Sequence, residues 1–163
     1  MPAELKSRMT VKGLAELNKR IAELLHDADN LRPVWDQAAE YMVRSTQNRI
    51  NQTHKGPDGT PWARLADLTV KLKGNDWPLY ATGKLVNGIQ VGQVNRAGFT
   101  IQSTATNEDG QNYSNWVQKG VRRSKGKYKK KTQPHSPARP FMGFSKENVA
   151  RISKMIRDHL KRT

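Results

Sequence analysis

The chain has 163 residues, enough for one domain with an ordinary hydrophobic core. It has no Cys, which excludes a disulfide framework, thiolate zinc sites and a cysteine nucleophile. Twenty-nine Lys and Arg against fourteen Asp and Glu give a formal charge of +15. Such a field attracts nucleic acid, anionic membrane or an acidic protein surface, and charge alone does not choose among them.

Residues 1–10 are mostly polar, carry Glu4, Lys6 and Arg8, and lack the apolar core of a signal peptide. They read as a loose arm on a soluble protein made in the cytoplasm, consistent with a mean hydropathy of −0.84 and no apolar run of membrane-spanning length. From Val11, apolar residues recur at Leu14, Leu17, Ile21, Leu24 and Ala28, which is helical spacing, with Thr10 as N-cap. A second helix is predicted from about Leu31 to Ile50. Pro33 suits its first turn, and Trp35, Ala38, Ala39, Met42, Val43, Thr46 and Ile50 form one stripe, with Arg44, Gln47 and Asn48 outside it. These two segments are expected to pack as a helical pair.

Residues 55–62 make a turn-rich loop, and 66–73 predict a short helix with Leu65, Leu68 and Leu72 spaced to pack. Residues 89–94 and 99–104 alternate between two faces around the turn Asn95-Arg96-Ala97-Gly98, a β-hairpin pattern. Tyr113, Trp116 and Val117 suggest another short helix, stopped at Gly120. Residues 121–136 carry Arg122, Arg123, Lys125, Lys127, Lys129, Lys130 and Lys131 without one acid. That density of like charge resists folding and predicts a mobile basic loop. A last helix from about Ser145 would turn Val149, Ile152, Met155, Ile156 and Leu160 inward, with Lys154, Arg157, Lys161 and Arg162 favouring its C-terminal end. There is no internal repeat and no sign of a second core. The whole chain, 1–163, reads as one α+β domain: an N-terminal helical pair, a short helix, a small antiparallel sheet built on a hairpin, and a C-terminal helix.

A search for chemistry returns little. His26, His54, His135 and His159 are far apart and lack ligand spacing, so no metal site is expected. Asp27 and Asp29 flank a helix end, Asp58 sits in a turn, and Glu108-Asp109-Gly110 looks like an exposed loop. Ala81-Thr82-Gly83-Lys84 echoes a phosphate loop only faintly, because Leu85 follows where Ser or Thr is needed. The basic stretch has one aromatic residue, Tyr128, and is a poor stacking platform for single strands. The chain is therefore expected to bind macromolecules and not to be an enzyme, with no cofactor and no small-molecule substrate.

Four short motifs do fall in a meaningful order. Pro57-Asp58-Gly59-Thr60-Pro61-Trp62 is followed by Leu65, Thr69 and Lys71. Leu79-Tyr80-Ala81-Thr82-Gly83-Lys84-Leu85 matches a Leu-x-x-Thr-Gly-x-Leu element. Residues 113–120 resemble a Tyr-Ala-x-x-His-Gln-x-Gly segment, departing at Ser114 and Val117 and matching at Gln118 and Gly120. Pro137-Ala138-Arg139-Pro140-Phe141-Met142-Gly143-Phe144-Ser145 resembles Pro-Ala-Arg-Pro-Phe-Leu-Gly-x-Ser. Together, over roughly residues 31–160, these resemble the phage virion-morphogenesis, or tail-completion, family of Mu-like phages and prophages.

The resemblance implies a structural virion protein, made in the host bacterial cytoplasm and placed at the head–tail junction. It implies other neck and tail proteins as partners and a homo-oligomeric ring. The basic loop would then face acidic ring neighbours or the genomic DNA in the channel, with no membrane involved. A tail terminator or head-closure protein is the nearest alternative, and a free DNA-binding protein acting through the basic loop is a more distant one. Locally, Trp62 is expected to pin its loop by burial, and Thr82-Gly83 to turn the chain into the hairpin. Arg139 would pair with a carboxylate or with backbone carbonyls, while Phe141 and Phe144 anchor the entry to the last helix.

Overall fold

The computed structural model describes residues 31–121 and 136–162. The predicted arm 1–10, the predicted helix 11–28 and the cations between Arg122 and Lys131 lie outside the described residues, so the helical pair is represented here by its second member. What remains follows the expected α+β order.

Helix α1 (Arg32–Asn48) opens after Leu31 with Pro33 in its first turn. Its predicted stripe is the side it buries: Ala38, Ala39, Met42 and Thr46 are wholly inaccessible, and Val34, unnoticed in the periodicity, is buried with them. Gln47 departs from expectation. It is half-buried and donates from Nε2 to Val86 O at 3.2 Å, so an amide predicted to face solvent crosses to a neighbouring turn. The helix does not simply end. It widens into a π-helical turn, Arg49–Thr53, which buries both Arg49 and Ile50 and closes on His54 in the left-handed conformation (φ 53°).

The hairpin forms as predicted, from β1 (Ile89–Asn95) and β2 (Gly98–Ser103), antiparallel. Asn95 Oδ1 accepts from the N–H groups of Ala97 (2.9 Å) and Gly98 (3.2 Å), which is the side-chain turn chemistry the sequence advertises. The register slips between Val91 and Val94, where Gln93 N–H turns to Thr100 Oγ1 at 2.8 Å instead of the ladder. Helix α1 packs across both strands and also against α5 (Lys146–Leu160). Two apolar clusters result. One joins Ile50, Trp62, Leu85, Val86, Ile89, Ala105 and Phe141. The other joins Ala38, Met42 and Ile152, with Trp35, Phe99 and Ile101 packed around it.

Several expectations need correction. Helix α2 (Asp67–Lys73) exists but buries nothing: Leu68 is 69% and Leu72 81% exposed. Its flanks, not its leucines, fix it. The carbonyls of Ala63 and Arg64 before it are held by Arg139, and Lys73 Nζ donates to Trp77 O after it. A one-turn helix, α3 (Lys84–Asn87), stands between Gly83 and the hairpin, where only a turn was expected; Gly83 supplies the left-handed residue that starts it (φ +77°). On α5, Ile152 is buried and Met155, Ile156 and Leu160 are half-buried, but Val149 is 52% exposed. Phe141 is fully buried, whereas Phe144 is largely exposed and meets Phe99 only edge-on, centroids 6.1 Å apart. The short helix α4 (Ser114–Lys119) forms and stops at Gly120. Among the described residues, no helix is long and apolar enough to cross a membrane.

Candidate functional site

Three of the four motifs fold onto one another. In the first, Asp58 accepts from Thr60 N–H at 2.9 Å and from Thr60 Oγ1 at 2.8 Å, while Gly59 takes φ +84°. Those bonds, backbone first, hold the Asp58 carboxyl below its usual range. The tight loop returns the chain to the end of α1, where Trp62 N–H donates to His54 O at 3.0 Å. Trp62 is then buried, as expected, and its Nε1 donates to Pro140 O at 2.9 Å.

The last motif answers. Arg139 is buried and donates from Nε and Nη2 to Ala63 O (3.1 and 3.0 Å) and from Nη2 to Arg64 O at 3.3 Å. Of the two partners its chemistry allowed, it takes carbonyls. Its backbone N–H reaches Val117 O at 2.9 Å, which ties in the third motif. There Gln118 Oε1 accepts from Phe141 N–H (3.0 Å) and Met142 N–H (3.1 Å), and its Nε2 donates to Met142 O at 2.9 Å. One amide side chain thus completes a strand's worth of pairing for a segment that has no strand beside it. Gly120 makes this approach sterically feasible. At φ +73°, a Cβ there would sit 2.6 Å from Ala138 N and 2.9 Å from Ser136 O.

The second motif lies beside this network. Leu79 adopts a left-handed φ of 63°, unusual for a branched apolar residue, and Leu85 enters the core. Thr82 and Gly83 line a cleft of about 290 Å³ together with Tyr113 and Val117. Burial pushes the Tyr113 phenol above its ordinary range.

Two residues at the centre escaped the sequence reading. Arg49 is buried and donates from Nη1 to Phe141 O (3.0 Å) and Gly143 O (2.7 Å), and from Nη2 to Asn148 Oδ1. Asn148, 2% exposed, also accepts from Ser145 N–H and donates from Nδ2 to Tyr41 Oη (3.0 Å) and Ser45 Oγ (2.8 Å). Ser145 Oγ in turn accepts from Asn148 N–H at 3.1 Å, completing a capping box on α5. Both had a signal. Arg49 follows Met42 by seven positions and Thr46 by three, on the buried stripe, and Ser145-x-x-Asn148 has capping-box spacing with Asn in place of Glu.

Electrostatically the network centres on two buried guanidiniums. Neither Arg49 nor Arg139 pairs with a carboxylate among the described residues, and carbonyl dipoles solvate both. Burial lowers the pKa of each guanidinium, and Lys73 is lowered by burial and then by Arg139 nearby. The expected basic-loop contacts, Arg122, Arg123, Lys125, Lys127, Lys129, Lys130 and Lys131, fall outside the described residues. The two ends of that stretch do meet: Val121 N–H donates to Ser136 O at 2.9 Å in an antiparallel bridge. Among the described residues no three His, Cys, Asp or Glu side chains gather as they would around a metal ion.

No curated protein and no solved structure matches the chain significantly. The model of one protein family does, over residues 13–161, which takes in every motif described above. The chain belongs to the phage virion morphogenesis family.

Proposed function

We propose that this protein is a structural subunit that completes the tail of a tailed phage at its junction with the DNA-filled head, working as a closed ring with other neck and tail proteins. One observation carries the structural reading. The motif side chains with the strongest binding chemistry, Trp62, Arg139, Gln118 and Phe141, are engaged with the chain's own backbone and core. They build a rigid frame, and a rigid frame is what a repeating subunit needs if each copy is to present the same surface to its neighbours. The two ends of the basic stretch meet on that frame, Val121 beside Ser136, and its seven cations suit contact with acidic neighbours or the genome.

Three experiments test this. Deleting the gene from the phage should yield DNA-filled heads and separate tails; complete, infectious particles from the deletion would refute a role in joining them. Replacing Lys129, Lys130 and Lys131 with Ala should leave the thermal midpoint of the protein unchanged and lower the yield of joined particles. Normal yields from that variant would remove the basic stretch from the joining step. Labelled electron microscopy of the particle then fixes the level: a label at the end of the tail tube, or on the portal side of the head, would reassign the subunit to terminating the tail or closing the head.

A further inference from the structure

The last turns of α1, the π-helical turn, the 55–59 loop and the start of α5 surround a groove of about 530 Å³. Among the described residues four cations line it, Arg44, Arg49, Lys55 and Arg151, and Glu147 is the one acid. Arg49 is a fixed group, buried to 6% exposure and held by Phe141 O, Gly143 O and Asn148 Oδ1, with no carboxylate partner among the described residues. Arg151 is steadied over the Tyr41 ring, 5.1 Å from its centroid. Arg44 has Glu40 at 3.8 Å, but both side chains are well exposed, and such a pair holds a guanidinium only weakly. The neighbouring acid of the loop, Asp58, is already turned onto Thr60.

We propose that this groove takes the carboxylates of an acidic peptide segment on a partner protein. The exposed guanidiniums of Arg44 and Arg151 match planar carboxylates, which such groups grip two bonds at a time, while Arg49, its Nη atoms already engaged, adds its charge to the lining. The remaining lining favours peptide over nucleic acid. Asn48 and Gln52 offer both donors and acceptors for a peptide backbone, whereas a phosphodiester chain bears a charge at every residue and would have to pass Glu147. A recess of this volume also admits a side chain or an extended segment but not a rigid duplex. Such binding is a property of the isolated chain and stands or falls apart from its place in the particle.

The test is a titration of the full-length, ¹⁵N-labelled protein with hexaglutamate, followed residue by residue by NMR. Saturable shifts are expected at Arg44, Asn48, Gln52 and Arg151. In the double variant Arg44→Gln/Arg151→Gln, both at exposed positions that leave the core untouched, affinity should fall about tenfold. The variant Lys161→Gln/Arg162→Gln removes the same charge at the far end of α5 and should change it less than about twofold. Absence of shifts in the groove overturns the proposal, and so does an equal loss in both double variants, which would mean that net charge alone is being read. Hexathymidylate shifting the same residues at lower concentration would assign the groove to nucleic acid and overturn it as well.

Discussion

Arg139 shows how one side chain can do work that no substitute of like charge repeats. Its planar fork places Nε and Nη2 on a single carbonyl oxygen and reaches a second carbonyl with Nη2, closing the loop ahead of α2 from 76 residues away. A lysine ammonium at the same place is a point donor with a larger hydration penalty, and it would stand near Lys73, whose charge Arg139 already disfavours. Arg139→Lys is therefore expected to cost about 1–3 kcal/mol, read as a lower urea midpoint at unchanged slope. An unaltered midpoint would mean that the carbonyls find other donors. Asp58 offers a pH test at the same scale. Its folded pKa is depressed by Thr60, so the stability it contributes is present above the unfolded carboxylate range and is lost as pH falls through the folded value. Asp58→Asn keeps an acceptor for Thr60 but cannot titrate, so the variant should lose less stability than the parent on acidification. Parallel acid-titration curves would assign the acid sensitivity to other groups.

At the scale of elements, two helices with similarly spaced apolar residues behave in opposite ways. The stripe of α1 is buried or half-buried along its length, while Leu68 and Leu72 of α2 are exposed. Periodicity reports that a face is apolar; it does not report whether anything lies opposite. Seven residues with fixed ends can stand away from the core, and α2 does. Substituting Leu68→Ala and Leu72→Ala together should thus shift stability by no more than about 0.5 kcal/mol per site. Phe141→Ala, in the core at full burial, should cost about 3–5 kcal/mol. Calorimetry of the two variants separates them, and a large loss in the leucine variant would show a packed α2 in solution. The same reasoning explains what the sequence made legible. The stripe of α1, the Asn95 turn, the stop at Gly120 and the burial of Trp62 are local or periodic signals, and they are found where they were expected. Distant pairing is different: the stripe marks Arg49 and the capping-box spacing marks Asn148, but that the two meet across 99 positions, or that Gln47 meets Val86 across 39, no local pattern encodes.

At the scale of the molecule, the frame closes without help from the basic stretch. The bonds that close the frame run from residues 41–64 and 117–118 to 139–148, and both apolar clusters draw on both sides of the 122–135 stretch. The stretch itself holds seven Lys or Arg and no Asp or Glu, yet residues 31–121 and 136–162 still carry seventeen Lys or Arg against nine Asp or Glu. Excess positive charge is thus shared between the basic stretch and the frame, where Lys154, Arg157, Lys161 and Arg162 gather in and just beyond the last turns of α5. Because Val121 and Ser136 are bridged, a linker of about four residues can replace 122–135 without moving either end. A chain with a short Gly-Ser linker there should melt cooperatively, within a few degrees of the parent, while losing seven positive charges. A chain ending at Ser136 makes the contrast: it loses Arg139, Phe141, Asn148 and α5 at once and should show no cooperative transition. Circular dichroism of the two chains decides the matter. If the linker chain fails to fold, the basic stretch is part of the frame, and the assembly defect expected from its lysine variant would have to be read as a defect of folding.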